Sequence, residues 1–141
     1  MNNLAKHIIA VVHNNKQIIT NLHLQEIMYF TLKFAIQNHL FTQQQIQNMY
    51  DEPFLVWRYG PVVKSVYKQY KMYESDPITK NYPEAPELKA LNNKIIQLSN
   101  VDIFILMNKL HSERFWQANE DKIVGWRSNV AYSLADVAAY D

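Results

Sequence analysis

Glycine occurs only twice in this chain, at Gly60 and Gly125, and the first stands directly before Pro61. That pair constrains the fold more than any other feature. Glycine reaches backbone angles that other residues avoid, and proline fixes φ and lacks a backbone donor, so the chain must change course there. Proline also suits the first position of a helix, which predicts a helix from Val62 to about Tyr73 with Val63, Val66, Tyr67 and Tyr70 on one face. Just upstream, Phe54 to Tyr59 is β-branched and aromatic and reads as a short strand or a buried extended segment. Asp51-Glu52-Pro53 before it reads as a solvated turn.

Helical spacing dominates the rest. Leu4, Ile8, Val11 and Val12 mark a first helix that Asn14 and Asn15 end. Thr20 offers an N-cap for a second, carrying Leu24, Ile27, Met28, Phe34 and Ala35, with Phe30 and Leu32 widening the stripe. A helix this apolar belongs at the centre of a core. Thr42 to Tyr50 reads as a short polar helix or turn, and Glu74 to Pro86, with three prolines, as an exposed loop. Leu88, Leu91, Ile95 and Leu98 predict a helix over 87–98. Ser99 with Asp102 resembles a capping box opening a helix through Leu110, and Ser133 with Asp136 repeats that signal near the end. The expected architecture is mainly α: one compact domain over 1–141 with five to six helices and at most a minor strand pair near residues 54–59.

A length of 141 residues, nearly half of them apolar, is enough for one hydrophobic core without covalent staples. Cysteine is absent, which removes disulfides, thiolate metal sites and cysteine nucleophiles and fits a reducing, cytoplasmic setting. The five apolar residues from Ile8 to Val12 are too few for a signal peptide or a membrane span. Net charge is +1, whereas dedicated nucleic-acid binders carry a larger basic excess.

No catalytic apparatus stands out. Two glycines leave no phosphate-cradling loop, and the histidines at 7, 13, 23, 39 and 111 show no metal-site pairing. His111, Ser112 and Glu113 lack a nucleophile elbow, and His111 reads as a group closing its helix. No cofactor, metal or enzymatic activity is expected. One segment is more suggestive. Residues 57–73 carry Arg58, Lys64, Lys68 and Lys71 without any acid, interleaved with Tyr59, Tyr67, Tyr70 and Tyr73. Lys64, Lys68 and Lys71 share a helical face, which reads either as a solvated side of the helix or as a basic, aromatic-edged surface for an acidic protein or RNA. Trp57 and Tyr67 suit the core beneath the Gly60-Pro61 turn.

Three blocks also carry a resemblance. Leu24-Gln25-Glu26-Ile27-Met28-Tyr29-Phe30 resembles the LQKLLYF helix of the Panacea (SocA-like) family. Phe54-Leu55-Val56-Trp57-Arg58-Tyr59-Gly60-Pro61-Val62-Val63, followed by Val66-Tyr67, resembles that family's F-x-A-W-x-x-G-P-V-x-x-x-V-Y signature. More loosely, His111-Ser112-Glu113 and Trp116 resemble its TH-x-E…PW segment, so the likeness runs over roughly residues 4 to 137. Glu26 replaces the usual lysine, and Phe115 the proline before the tryptophan.

The resemblance implies a cytoplasmic, prophage- or mobile-element-associated antitoxin domain that neutralises a cognate toxin by direct binding. A related member delivers its toxin to a protease, so a proteolysis adaptor is the alternative, and a nucleic-acid-binding regulator using the three lysines is a second. The signature residues, Leu24, Gln25, Tyr29, Trp57, Arg58, Gly60, Pro61, Val62 and Tyr67, look like packing and turn geometry rather than reacting groups. Candidate partner contacts are Arg58, Lys64, Lys68 and Lys71, together with Tyr82 in the Pro77–Pro86 loop and Trp116 and Trp126 in the Phe115–Ser128 stretch.

Overall fold

The computed structural model describes all 141 residues. It contains eight α-helices where the sequence predicts five to six, and one antiparallel hairpin. The helices are α1 (Asn2–Asn14), α2 (Asn21–Gln37), α3 (Gln43–Met49), α4 (Lys64–Tyr70), α5 (Asn92–Ser99), α6 (Ile103–His111), α7 (Arg114–Asn119) and α8 (Leu134–Ala138). The hairpin strands are β1 (Phe54–Trp57) and β2 (Gly60–Val63).

Helix α2 is the axis of the molecule, as its all-round apolar sequence demands. It packs against α1, α4, α5, α6, α8 and β2, and Leu24, Ile27, Met28, Tyr29 and Leu32 are fully buried. Its start is fixed by Thr20, whose hydroxyl accepts from the His23 amide at 3.2 Å. Around it a single cluster of 32 buried residues draws on elements from Met1 to Val137.

Gly60 and Pro61 act differently from the expectation. Pro61 does not open a helix. It pairs with Val56 inside β2, and α4 starts three residues later at Lys64. Proline is tolerated there because its missing donor costs nothing at an edge of the ladder. The strand pair therefore spans 54–63 rather than 54–59, with Arg58 and Tyr59 as its two-residue loop and Gly60 at φ +125°. The other edge of β1 is not open. The Val56 amide donates to the Val130 carbonyl and the Tyr132 amide to the Phe54 carbonyl, each at 2.9 Å, so the segment after α7 lies along the hairpin as a third, irregular strand.

Three further expectations are corrected. The α6 cap is Asp102 itself, accepting from the Phe104 amide at 2.8 Å, while the Ser99 hydroxyl turns back to the Ile96 carbonyl. The predicted 87–98 helix begins as a 3-10 segment, Pro86–Leu91, and turns α-helical only at Asn92. The Glu74–Pro86 loop is mostly exposed, as expected, but it is pinned at Ile78, which is buried and whose amide donates to the Ile19 carbonyl. His13 donates through Nε2 to the Ile78 carbonyl, and the Ala85 amide donates to Nδ1 of buried His7. Asp51 and Glu52 are not a free solvated turn either: Asp51 pairs with the Met1 ammonium at 2.6 Å, and Glu52 accepts from both the amide and the hydroxyl of Ser65. Glu52 thereby closes the first turn of α4, where a negative charge is favourable. No helix is long and apolar enough to cross a membrane.

Candidate functional site

The signature residues meet where the hairpin crosses the start of α2. Gln25 explains why an amide sits in an apolar helix: its Oε1 accepts from the Val63 amide at 3.0 Å, and its Nε2 donates to Asn21 Oδ1. Asn21 in turn donates to the Tyr67 carbonyl at 3.0 Å, so two side-chain amides dock β2 and α4 on α2 and satisfy the Val63 amide and the Tyr67 carbonyl. Leu24, Val62 and Tyr29 are buried beside them, with Tyr29 edge-on to Phe54 and Tyr132 and its hydroxyl donating to Glu113.

At the hairpin loop, Arg58 is an anchor more than a free contact. Its amide donates to the Trp126 carbonyl at 2.9 Å and its Nε to the Gly125 carbonyl at 2.7 Å. The Arg58 carbonyl accepts from His111 Nε2 at 2.8 Å, so His111 serves the hairpin rather than closing its own helix. The His111 ring stacks on Trp116 with centroids 4.0 Å apart. Trp116 is buried, with Nε1 donating to the Trp57 carbonyl at 2.9 Å, which removes it from the exposed candidates. Tyr82 is half-buried and accepts from the Tyr70 hydroxyl, so it too is committed to packing.

What remains open forms a compact face. Trp57 is buried with its ring edge-on to half-buried Tyr67, and over both lies the Arg127 guanidinium, 4.7 Å from the Trp57 ring and 5.8 Å from that of Tyr67. Tyr59 and Trp126, 49% and 52% exposed, flank a hollow of about 60 Å³ that Leu22, Val62 and Tyr67 also line. The molecule contains two ion pairs, Met1–Asp51 and Lys33–Glu113, so Arg127 has no carboxylate. Trp57 Nε1 and Arg127 Nε are buried without hydrogen-bond partners. An aromatic patch holding an unneutralised cation can receive an apolar side chain beside an acid. Lys64 and Lys68 are exposed on α4, the helix that carries Tyr67, and Lys71, also exposed, follows at once in the 3-10 turn that continues α4.

Sequence reasoning missed Arg127, and it named Tyr59 only as one of several aromatic edges of the basic segment. The signal available was the Trp126-Arg127 pair following Gly125, since a tryptophan and an arginine in a turn are frequent interface anchors. In the sequence Glu26 stands out only as the residue at a position where the resembled family has lysine. In the structure it is 1% exposed, and neither carboxylate oxygen has a partner. Burial, reinforced by Asp102, pushes its pKa up to about 9, so the carboxyl is neutral at physiological pH. His23, one turn earlier, is shifted down by burial and donates through Nε2 to the Leu98 carbonyl. No metal-ligating cluster of histidine and carboxylate forms. No family model, curated protein or solved structure matches the chain.

Proposed function

We propose that this chain is a non-enzymatic protein-binding domain that acts as an antitoxin, neutralising a cognate toxin by direct contact through the hairpin face. The observation that carries the reading is the exposed pair Tyr59 and Trp126 around an Arg127 guanidinium without a counter-ion. Aromatic residues and arginine are the side chains that most often dominate a protein interface. Support also comes from the resemblance of residues 24–30 and 54–67 to the Panacea signature, since the residues of that signature build the platform under the face. A toxin segment presenting an apolar residue next to an aspartate or glutamate matches this chemistry.

The test is a tagged pull-down from the native host at moderate salt, with mass spectrometry of what co-purifies. A stoichiometric partner encoded beside this gene, toxic when expressed alone, is the expected result. Protease subunits in its place would shift the reading to a proteolysis adaptor. Nucleic acid with a strong salt dependence would shift it to a regulator using Lys64 and Lys68. A clean, lone protein would remove the antitoxin reading.

A further inference from the structure

A second cationic feature lies away from the hairpin face, in a groove of about 130 Å³ that runs over α2 between α5 and α6. Three lysines converge on it, one from each helix: Lys33, Lys94 and Lys109. Lys33 is satisfied, pairing with Glu113 at 3.1 Å and donating to the Ala139 carbonyl at 2.6 Å. The other two have no carboxylate within ion-pair range. Each instead sits on a phenylalanine of α2: Lys94 Nζ is 5.1 Å from the Phe34 ring centroid and Lys109 Nζ is 5.4 Å from that of Phe30. Phe30 and Phe34 are one helical turn apart, so both lysines lie over the same face of α2, Lys94 half-buried and Lys109 exposed. Partial burial, and then the Lys109 charge, hold the Lys94 ammonium below the usual lysine range.

With Lys33 cancelled by Glu113, the groove keeps two positive charges in a chain whose total is only +1. Two like charges on one apolar floor repel, and an anion bridging them would relieve that repulsion. A carboxylate would cancel one of the two. A phosphate group carries close to two negative charges at neutral pH and offers several acceptor oxygens, matching two point-like ammonium donors. We propose that this groove is a phosphate-binding site in which Lys94 and Lys109 grip one phosphate group, free or as a monoester, over Phe30 and Phe34. The site is independent of the hairpin face, so it stands or falls separately from the antitoxin reading.

Calorimetric titration of the full chain with inorganic phosphate, at constant ionic strength made up with chloride, tests it. Saturable one-to-one binding is expected, weakened about tenfold or more by Lys94→Met and by Lys109→Met, the size of one charge-assisted contact. Lys89→Met, which removes an exposed lysine outside the groove, should leave it unchanged. Either lysine change removes both a repulsion and a contact over a phenylalanine ring, so the readout is the phosphate affinity and not the melting temperature. Phenyl phosphate binding more tightly than the free ion would identify a monoester as the ligand, and the reverse order would identify inorganic phosphate. The proposal is overturned if phosphate binds no better than chloride, if acetate binds equally well, or if Lys89→Met weakens binding as much as the groove variants.

Discussion

Replacing Glu26 by glutamine should stabilise the protein increasingly as the pH rises. The carboxyl is buried in α2 with both oxygens unpartnered, and its pKa stands near 9 against an ordinary value of 4.5. A carboxyl whose folded pKa lies above its unfolded value binds its proton more tightly in the folded state. Its contribution is therefore fully present below about 4.5 and is lost as the pH rises toward 9. Between those limits the penalty grows by about 1.4 kcal/mol per pH unit. At pH 7 the chain is two and a half units above 4.5, so Glu26 costs about 3 kcal/mol, a large share of a typical domain's stability. Glutamine does not titrate. Its buried amide adds an unsatisfied donor, a constant penalty on the order of 1–3 kcal/mol that does not vary with pH. The slope of the difference is thus the readout, not its value at one pH. Urea unfolding of both proteins from about pH 5.5 to 8.5 should show the variant gaining about 4 kcal/mol on the parent across that range. His23 and Asp102 are common to both proteins, so their own titrations largely cancel. A difference that stays flat over the range would mean that Glu26 is ionised and solvated or paired, and the reasoning would fail.

Gly60→Ala should cost about 1–3 kcal/mol in urea unfolding, because φ +125° is strained for any L residue and the new Cβ would meet Leu110 Cδ1 at 3.1 Å. The leucine tip can yield, so the backbone angle sets most of the loss; a cost below about 0.5 kcal/mol would show that the hairpin loop relaxes freely. Gln25→Met keeps the volume of the side chain but strands the Val63 amide, and a loss of about 1–3 kcal/mol is expected in the same assay. Stability equal to the parent's would mean another acceptor reaches that amide.

Much of the framework was legible from residue types. The apolar run around Leu24 to Ala35 led directly to a central helix, and Thr20 to its first turn, because both signals are local. The hairpin was half legible. Arg58-Tyr59 is not a favoured two-residue turn, and Val62-Val63 fits a strand or a helix equally, so Pro61 pulled the reading toward a helix start. What decided the matter was non-local: Gln25 reaching Val63 and the 126–132 segment lying along β1. The candidate site divides the same way. Trp57 and Tyr67 belong together by spacing, but Arg127 joins them across about sixty residues of intervening chain, which no local pattern encodes. Trp116 looked available because aromatics in irregular segments often are; the short helix α7 and the bond to the Trp57 carbonyl turn it inward. The lysines of the α5–α6 groove, 15 residues apart in sequence, were invisible for the same reason.

The central claim, that the hairpin face docks a toxin, is tested most directly by co-expressing the co-purifying toxin with the parent chain and with a Tyr59→Ala/Trp126→Ala variant. Both side chains are about half exposed and make no side-chain hydrogen bond, so the fold and melting temperature should be retained. The account predicts that the parent restores growth, while the variant does not and binds the toxin at least about thirtyfold more weakly, the loss of roughly 2 kcal/mol that marks an interface anchor. Growth restored equally by a folded variant, with unchanged affinity, would contradict it.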